Sequence, residues 1–198
     1  MLNLSKKAIK ARIELIKVAK RVYGAHIGGG FSIIDFLVTY YSHISKIKGI
    51  DKLEYYKGKT NLEIPTLIFS KGHCYLAQLA ALDVVFKGRY YCHNYLKKET
   101  SFFGHPKRME GNLHFPISAG ALGQGVTFGN GISLGDKLKQ NNKKTISILG
   151  DGELNEGSCS EALLFAAQHK LNHCFIIDNN NQISLGKTSD IFNLGNLE

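Results

Sequence analysis

At 198 residues, 43% of them hydrophobic and 21% charged, the chain is long enough for a real core and lacks the compositional bias of a disordered segment. Its net charge of +9 admits an anionic substrate, an acidic partner or nucleic acid, but no aromatic interleaving or nucleic-acid motif accompanies the lysines, which read as a solvated face. No apolar run reaches membrane-spanning length, the N-terminal residues lack a signal-peptide core, and Cys74, Cys92, Cys159 and Cys174 lack CxxC spacing; a cytoplasmic protein with reduced, mostly buried thiols is expected, with neither membrane nor nucleic acid as partner.

Ser5 is placed to cap a first helix running to about Tyr23, with Ile9, Ile13, Ile16 and Val22 as its apolar stripe and Gly24 as its stop. A loop, Ala25–Gly30, then carries His26 followed by Gly28, Gly29 and Gly30, before a second helix that Ser32 and Asp35 open and that runs to about Ile44. The lysine-rich segment from Lys46 to Ile64 reads as a surface loop. Thr66–Phe69 is a short strand running into Ser70, Lys71, Gly72 and His73, and Cys74–Phe86 has helical periodicity. A shorter helix is expected over Tyr90–Lys98, and a loop over Ser101–Glu110 carries Gly104, His105 and Pro106. The run Gly120-Ala121-Leu122-Gly123-Gln124-Gly125 leads into a helix from about Val126 to Leu138; it matches neither a dinucleotide fingerprint nor a P-loop.

The stretch from Thr145 to Gly186 has the outline of a βαβ unit: strands at Thr145–Leu149 and Cys174–Ile177 with a helix over Ser158–Lys170 between them. Such a crossover makes the strands parallel and brings their C-terminal ends to one edge of the sheet. Asp151 follows the first strand and the run Asn179, Asn180, Asn181 follows the second. Carboxylate and amide oxygens at neighbouring strand ends suit a hard divalent cation, and glycines on both sides of Asp151 permit close approach by a ligand such as a diphosphate at the following helix N-terminus. Gly-Asp-Gly and an Asn run are also common turn signals; what distinguishes them here is their joint placement at two successive strand ends. His26, His73 and His105 all sit in glycine-bearing loops, where imidazole can bind phosphate or sugar hydroxyls and shuttle protons. His43, His169 and His173 read as structural, and His93 and His114 lack the same setting.

With these residues in place, the sequence resembles the N-terminal, diphosphate-binding half of a transketolase over nearly its whole length. The thiamine diphosphate fingerprint begins Gly150-Asp151-Gly152 and closes on an asparagine, for which Asn179, Asn180 and Asn181 compete; Asn181 sets Ile183-Ser184 in the family's register. The resemblance implies a doubly wound, mostly parallel α/β sheet with helices on both faces, within one domain over residues 1–198 that lacks its last C-terminal strands. It further implies that Asp151, Asn181 and the main-chain carbonyl of Ile183 hold Mg²⁺ or Ca²⁺, and that Gly152 contacts the diphosphate of thiamine diphosphate. By the same resemblance, His73 reaches the cofactor, Gly120, Ala121 and Leu122 belong to the loop that wraps it, and Glu156 lies near a subunit interface. His26, in Tyr23-Gly24-Ala25-His26-Ile27-Gly28-Gly29, and His105, in Gly104-His105-Pro106, match histidines that contact the sugar substrate. Ile27 replaces the usual proline and Ala121 the usual proline or serine, departures that bear on substrate choice more than on the cofactor.

The activity so implied is transfer of a two-carbon ketol unit from a ketose phosphate to an aldose phosphate. The glutamate that activates the cofactor belongs, in this family, to a pyrimidine-binding domain, of which the 198 residues carry no recognisable part. The expectation is therefore of a chain inactive alone, which needs a C-terminal partner subunit in a dimer or heterotetramer. Another thiamine diphosphate enzyme, such as a deoxyxylulose-phosphate synthase, a 2-oxo acid dehydrogenase subunit or an unusual-sugar transferase, stays open as an alternative. So do an inactive remnant that binds a partner, and a basic nucleic-acid-binding module.

Overall fold

The computed structural model describes residues 2–21, 25–60, 62–88, 92, 105–183, 186–192 and 195. The chain divides into two compact units, one made of Met1–Glu63 and Gly72–Ser118, the other of Ile64–Lys71 and Ala119–Glu198.

In the first unit, α1 (Leu2–Ala19), α2 (Ile27–Ile44) and α4 (Tyr75–Val85) pack on one another, and a short α3 (Lys52–Tyr56) is tied to α4 by the Tyr56 hydroxyl, which donates to Asp83. The stripe expected of α1 is corrected: Ile9, Ile13 and Ile16 are exposed, and Ala8, Ala11, Leu15 and Val18 face the core. Small residues allow close helix packing where isoleucine would hold the backbones apart. Ser5 is not the cap, because α1 begins at Leu2. The second helix starts before Ser32, at Ile27, so the glycines expected in a loop form its first turn. Gly30 fits there because a Cβ would lie 2.8 Å from Leu15, and Ser32 donates its hydroxyl to the Gly29 carbonyl within the helix. The Lys46–Ile64 segment is not all loop: Asp51 accepts from the N–H groups of Leu53 and Glu54 to cap α3, and Tyr55 and Tyr56 bury their rings. The expected helix over Tyr90–Lys98 and the residues Val22, Tyr23, Gly24, Gly104 and Ser184 lie outside the described residues, apart from Cys92 within that helix.

The second unit holds the sheet. Strands β1 (Thr66–Phe69), β2 (Thr145–Gly150) and β3 (His173–Asp178) are parallel, in the order β1-β2-β3, and pair Thr66 with Thr145 and Thr145 with His173. Helix α5 (Gln124–Leu138) lies on all three strands, and α6 (Gly157–Gln168) makes the crossover between β2 and β3 and packs on α5. Val126, Leu149, Cys159 and Ala162 form the core between them, with Leu154 and Phe175 against it. A 3₁₀ turn, Gly152–Asn155, and a last short helix, α7 (Thr188–Ile191), complete the unit. This is the expected α/β fold with a parallel sheet, here of three strands. Among the described residues no helix is long and apolar enough to cross a membrane, and Cys74, Cys92 and Cys159 are buried free thiols while Cys174 is exposed.

Candidate functional site

In the second unit, pairing of Gly150 with Asp178 brings the C-terminal ends of β2 and β3 level, so that the Asp151 amide donates to the Asp178 carbonyl at 3.3 Å. Asp151 therefore starts from the edge of the sheet beside the loop that leaves β3. Its carboxylate is 1% exposed and accepts a 2.6 Å bond from the Thr188 hydroxyl; Thr188 in turn donates its amide to the Asn181 carbonyl at 3.3 Å. Asn181 has a left-handed backbone, φ 54°, and its side-chain oxygen accepts from the Ser189 amide. A Cβ on Gly152 would meet the Ile183 side chain at 2.7 Å, which puts the Gly-Asp-Gly turn directly against Ile183. Asp151 and Asn181 thus share Thr188, while Gly152 lies against Ile183. Of the competing asparagines, Asn180 turns its side-chain oxygen to the Gln182 amide at 3.0 Å, and Asn179 is exposed.

No ion pair forms at Asp151 among the described residues, and a carboxylate this buried is costly without a countercharge. Among the described residues no three His, Cys, Asp or Glu side chains cluster as a metal site. A cation here would draw on one carboxylate together with amide and carbonyl oxygens, the donor type that Mg²⁺ and Ca²⁺ accept. The residues fit such an ion.

The turn that carries Asp151 is held by a residue that sequence reasoning missed. Glu153, 2% exposed, accepts from the Ser70 hydroxyl at 2.5 Å and the Gly123 amide at 2.8 Å with one oxygen, and from the Gly150 amide at 3.1 Å with the other. It ties the end of β1, the glycine run before α5 and the end of β2 together. Its sequence signal was an acidic residue two positions after Asp151. Beside it, Lys71, 1% exposed, reaches over the end of β2 to the Asp178 carboxylate at 2.5 Å.

Gly120, Ala121 and Leu122 are exposed just before α5. Gly123 adopts φ +77°, and a Cβ there would lie 2.2 Å from the Ser158 hydroxyl and 3.2 Å from the Glu156 Cβ. Only glycine allows this loop to approach the start of α6, where Glu156 is the exposed residue preceding the first turn. Cys159, behind it, donates to the Glu153 carbonyl, and burial, with Glu153 and Glu156 nearby, pushes its thiol up to about 12. It is a packing residue. His173 is structural, as expected: Asn130 gives its amide N–H to the Ala162 carbonyl and so turns its oxygen to His173 Nδ1, which must donate, while Nε2 accepts from Ser147. Burial lowers its pKa to about 4.

In the first unit the three histidines named from the sequence come together. His26 immediately precedes α2, and its ring lies 5.4 Å from that of His73 and 6.0 Å from that of His105, edge-on to both. Gly29 makes room for this cluster, since a Cβ there would stand 3.1 Å from the His73 ring and 3.0 Å from the Cys74 sulfur. Ile27 occupies the first helical position, which also explains why proline is tolerated in the family segment it resembles. His114 stands apart, 3% exposed: Nε2 donates to the Tyr55 carbonyl at 2.7 Å, and burial lowers its pKa to about 4.

Comparison with known proteins places these residues in a family. Residues 62–194, well over half of the chain, match the sequence family described as 1-deoxy-D-xylulose-5-phosphate synthase. Two proteins, each named as one of the subunits of an apulose-4-phosphate transketolase, are similar over 93% of the chain. The one from Phocaeicola vulgatus is 26% identical over 189 residues, 63% of its length; the one from Actinobacillus succinogenes is 30% identical over 192 residues, 64% of its length. The chain therefore spans less than two thirds of these relatives. The 1-deoxy-D-xylulose-5-phosphate synthase of Trichodesmium erythraeum is 26% identical over 163 residues, covering 82% of the chain and 22% of that protein. On these matches the chain belongs to the 1-deoxy-D-xylulose-5-phosphate synthase family, as an N-terminal, transketolase-like thiamine diphosphate subunit or fragment.

Proposed function

We propose that this chain is the diphosphate-binding half of a transketolase, one that moves a two-carbon ketol unit from a ketose phosphate to an aldose phosphate and works with a C-terminal partner subunit carrying the pyrimidine-binding domain, as a dimer or heterotetramer. The observation that carries the reading is the gathering of Asp151, Gly152, Asn181 and Ile183 at the ends of two adjacent parallel strands. Two relatives similar over 93% of the chain are named as transketolase subunits, which supports the partner. Asp151, Asn181 and the Ile183 carbonyl would hold Mg²⁺ or Ca²⁺, Gly152 would meet the diphosphate, and Gly120, Ala121, Leu122 and His73 would contact the rest of thiamine diphosphate. When bound, that cofactor supplies the carbanion-stabilising chemistry of ketol transfer. His26 and His105 would bind the donor's hydroxyls and hold a proton at the reacting oxygen, and Glu156 would face the partner.

The test is a calorimetric titration of the protein with thiamine diphosphate and Mg²⁺, then a ketol-transfer assay with the partner subunit present. Asp151→Asn should weaken cofactor binding at least tenfold. His105→Ala should lower turnover about 10²-fold or more with cofactor affinity nearly intact; unchanged turnover rejects its role. Robust transfer by the 198-residue chain alone would reject the need for a partner. The family match favours one second reading, a deoxyxylulose-phosphate synthase-like enzyme. Pyruvate serving as donor in place of a ketose phosphate would establish it.

A further inference from the structure

We infer that Thr188 is a positioning residue for the cation that Asp151 is proposed to hold, and that residues 186–189 form a strap supporting all three proposed ligands; this rests on the cation-site reading above. The strap is seen donor by donor. Thr188 Oγ1 donates to Asp151 Oδ2 at 2.6 Å, the Ser189 amide to Asn181 Oδ1 at 3.3 Å, and the Gly186 amide to the Ile183 carbonyl at 2.9 Å. Each proposed ligand group thus carries one hydrogen bond from within four consecutive residues.

The strap is itself anchored. Ile183 and Gly186 exchange amide-to-carbonyl bonds of 2.9 Å in both directions, and the Thr188 amide returns to the Asn181 carbonyl. Thr188 is 4% exposed and Asp151 1%, so water competes little for their bond. A hydroxyl that gives its only proton to one carboxylate oxygen fixes the rotation of that carboxylate and leaves the other oxygen outside the bond. Groups that orient a ligand in this way commonly change metal affinity by about 10–100-fold when removed. Thr188 is the one side chain in the strap that reaches Asp151; the other two bonds are main-chain donations, which mutation of a side chain does not delete.

Mg²⁺ affinity is measured by calorimetry on the full protein at saturating thiamine diphosphate, with the metal-free unfolding midpoint recorded for each variant. Thr188→Val, which keeps the shape and loses the hydroxyl, should weaken Mg²⁺ binding about tenfold or more, and Thr188→Ser, which keeps the hydroxyl, should remain within about threefold of the parent. A purely structural role would lower the unfolding midpoint in Thr188→Val and leave Mg²⁺ affinity at the parent value, and that result overturns the inference. If Thr188→Val does not fold, Thr188→Ala is measured in its place and read the same way. Asp151→Asn separates the two levels. Loss of Mg²⁺ binding in Asp151→Asn with none in the Thr188 variants rejects the strap alone, whereas parental Mg²⁺ binding in Asp151→Asn rejects the cation-site reading itself.

Discussion

Glu153 holds donors from three separate stretches of chain: the Ser70 hydroxyl after β1, the Gly123 amide before α5 and the Gly150 amide at the end of β2. Removing the carboxylate deprives the buried Ser70 hydroxyl and Gly123 amide and the half-buried Gly150 amide of this acceptor, and bonds to a charged group are stronger than neutral ones. Glu153→Ala should cost about 3 kcal/mol in urea unfolding, more than its loss of apolar contact explains. Glu153→Gln should cost less, because it keeps one acceptor; equal costs would show that charge rather than geometry dominates. At this scale the sequence was partly legible. Asp151 stood out because glycines flank it, and the three histidines because of their loops, whereas Glu153 looked like one more acidic residue. Its importance depends on partners 83 and 30 positions away, which no local pattern reports.

Helix α5 rests on the sheet through its glycines. A Cβ on Gly125 would lie 2.4 Å from the Ser70 Cα, which is backbone and cannot swing aside, while Gly131 has nothing within 4 Å. Alanine is the better helix former by about 1 kcal/mol. Gly131→Ala should therefore stabilise the protein by up to about 1 kcal/mol, and Gly125→Ala should destabilise it by about 2 kcal/mol or more, as thermal or urea midpoints will show. The strands were legible because each is a short apolar run closed by turn residues. The helix starts were not. Three glycines argue against a helix at Ile27, yet packing of Gly29 and Gly30 against His73, Cys74 and Leu15 holds the turn there. In α1 apolarity alone points to Ile9, Ile13 and Ile16, yet the buried face is the one that carries Ala8, Ala11, Leu15 and Val18, and only the neighbouring helices decide which face that is.

Each compact unit carries a neutral histidine, the buried His114 in the first and the half-buried His173 in the second, and burial lowers both pKa values from 6.5 to about 4. Between those values the unfolded chain binds protons that the folded chain does not, so stability is complete above about pH 6.5 and is lost as pH falls toward 4. For the fully buried His114 the loss by about pH 4.5 is of the order of 2–3 kcal/mol, and for the partly exposed His173 it is less. Ring resonances followed by NMR should show both imidazoles neutral at pH 5.5, with the urea midpoint falling below pH 6. Either ring titrating near 6.5 would contradict the burial argument. The overall α/β class was legible from the βαβ outline, but the division into two units was not, because the chain enters the second unit at Ile64, leaves it at Lys71 and returns at Ala119. Discontinuity of that kind leaves no linker composition to read.

The contact of Gly152 with Ile183 has a consequence for inheritance. In the proposed site Ile183 serves through its carbonyl, so its side chain is answerable only to the space it fills, and that space is what position 152 lacks. The two positions are therefore coupled across generations: a methyl at 152 is barred by the Ile183 side chain until carbon is surrendered there, and by the diphosphate proposed to meet Gly152 besides. Neither change would be neutral on its own.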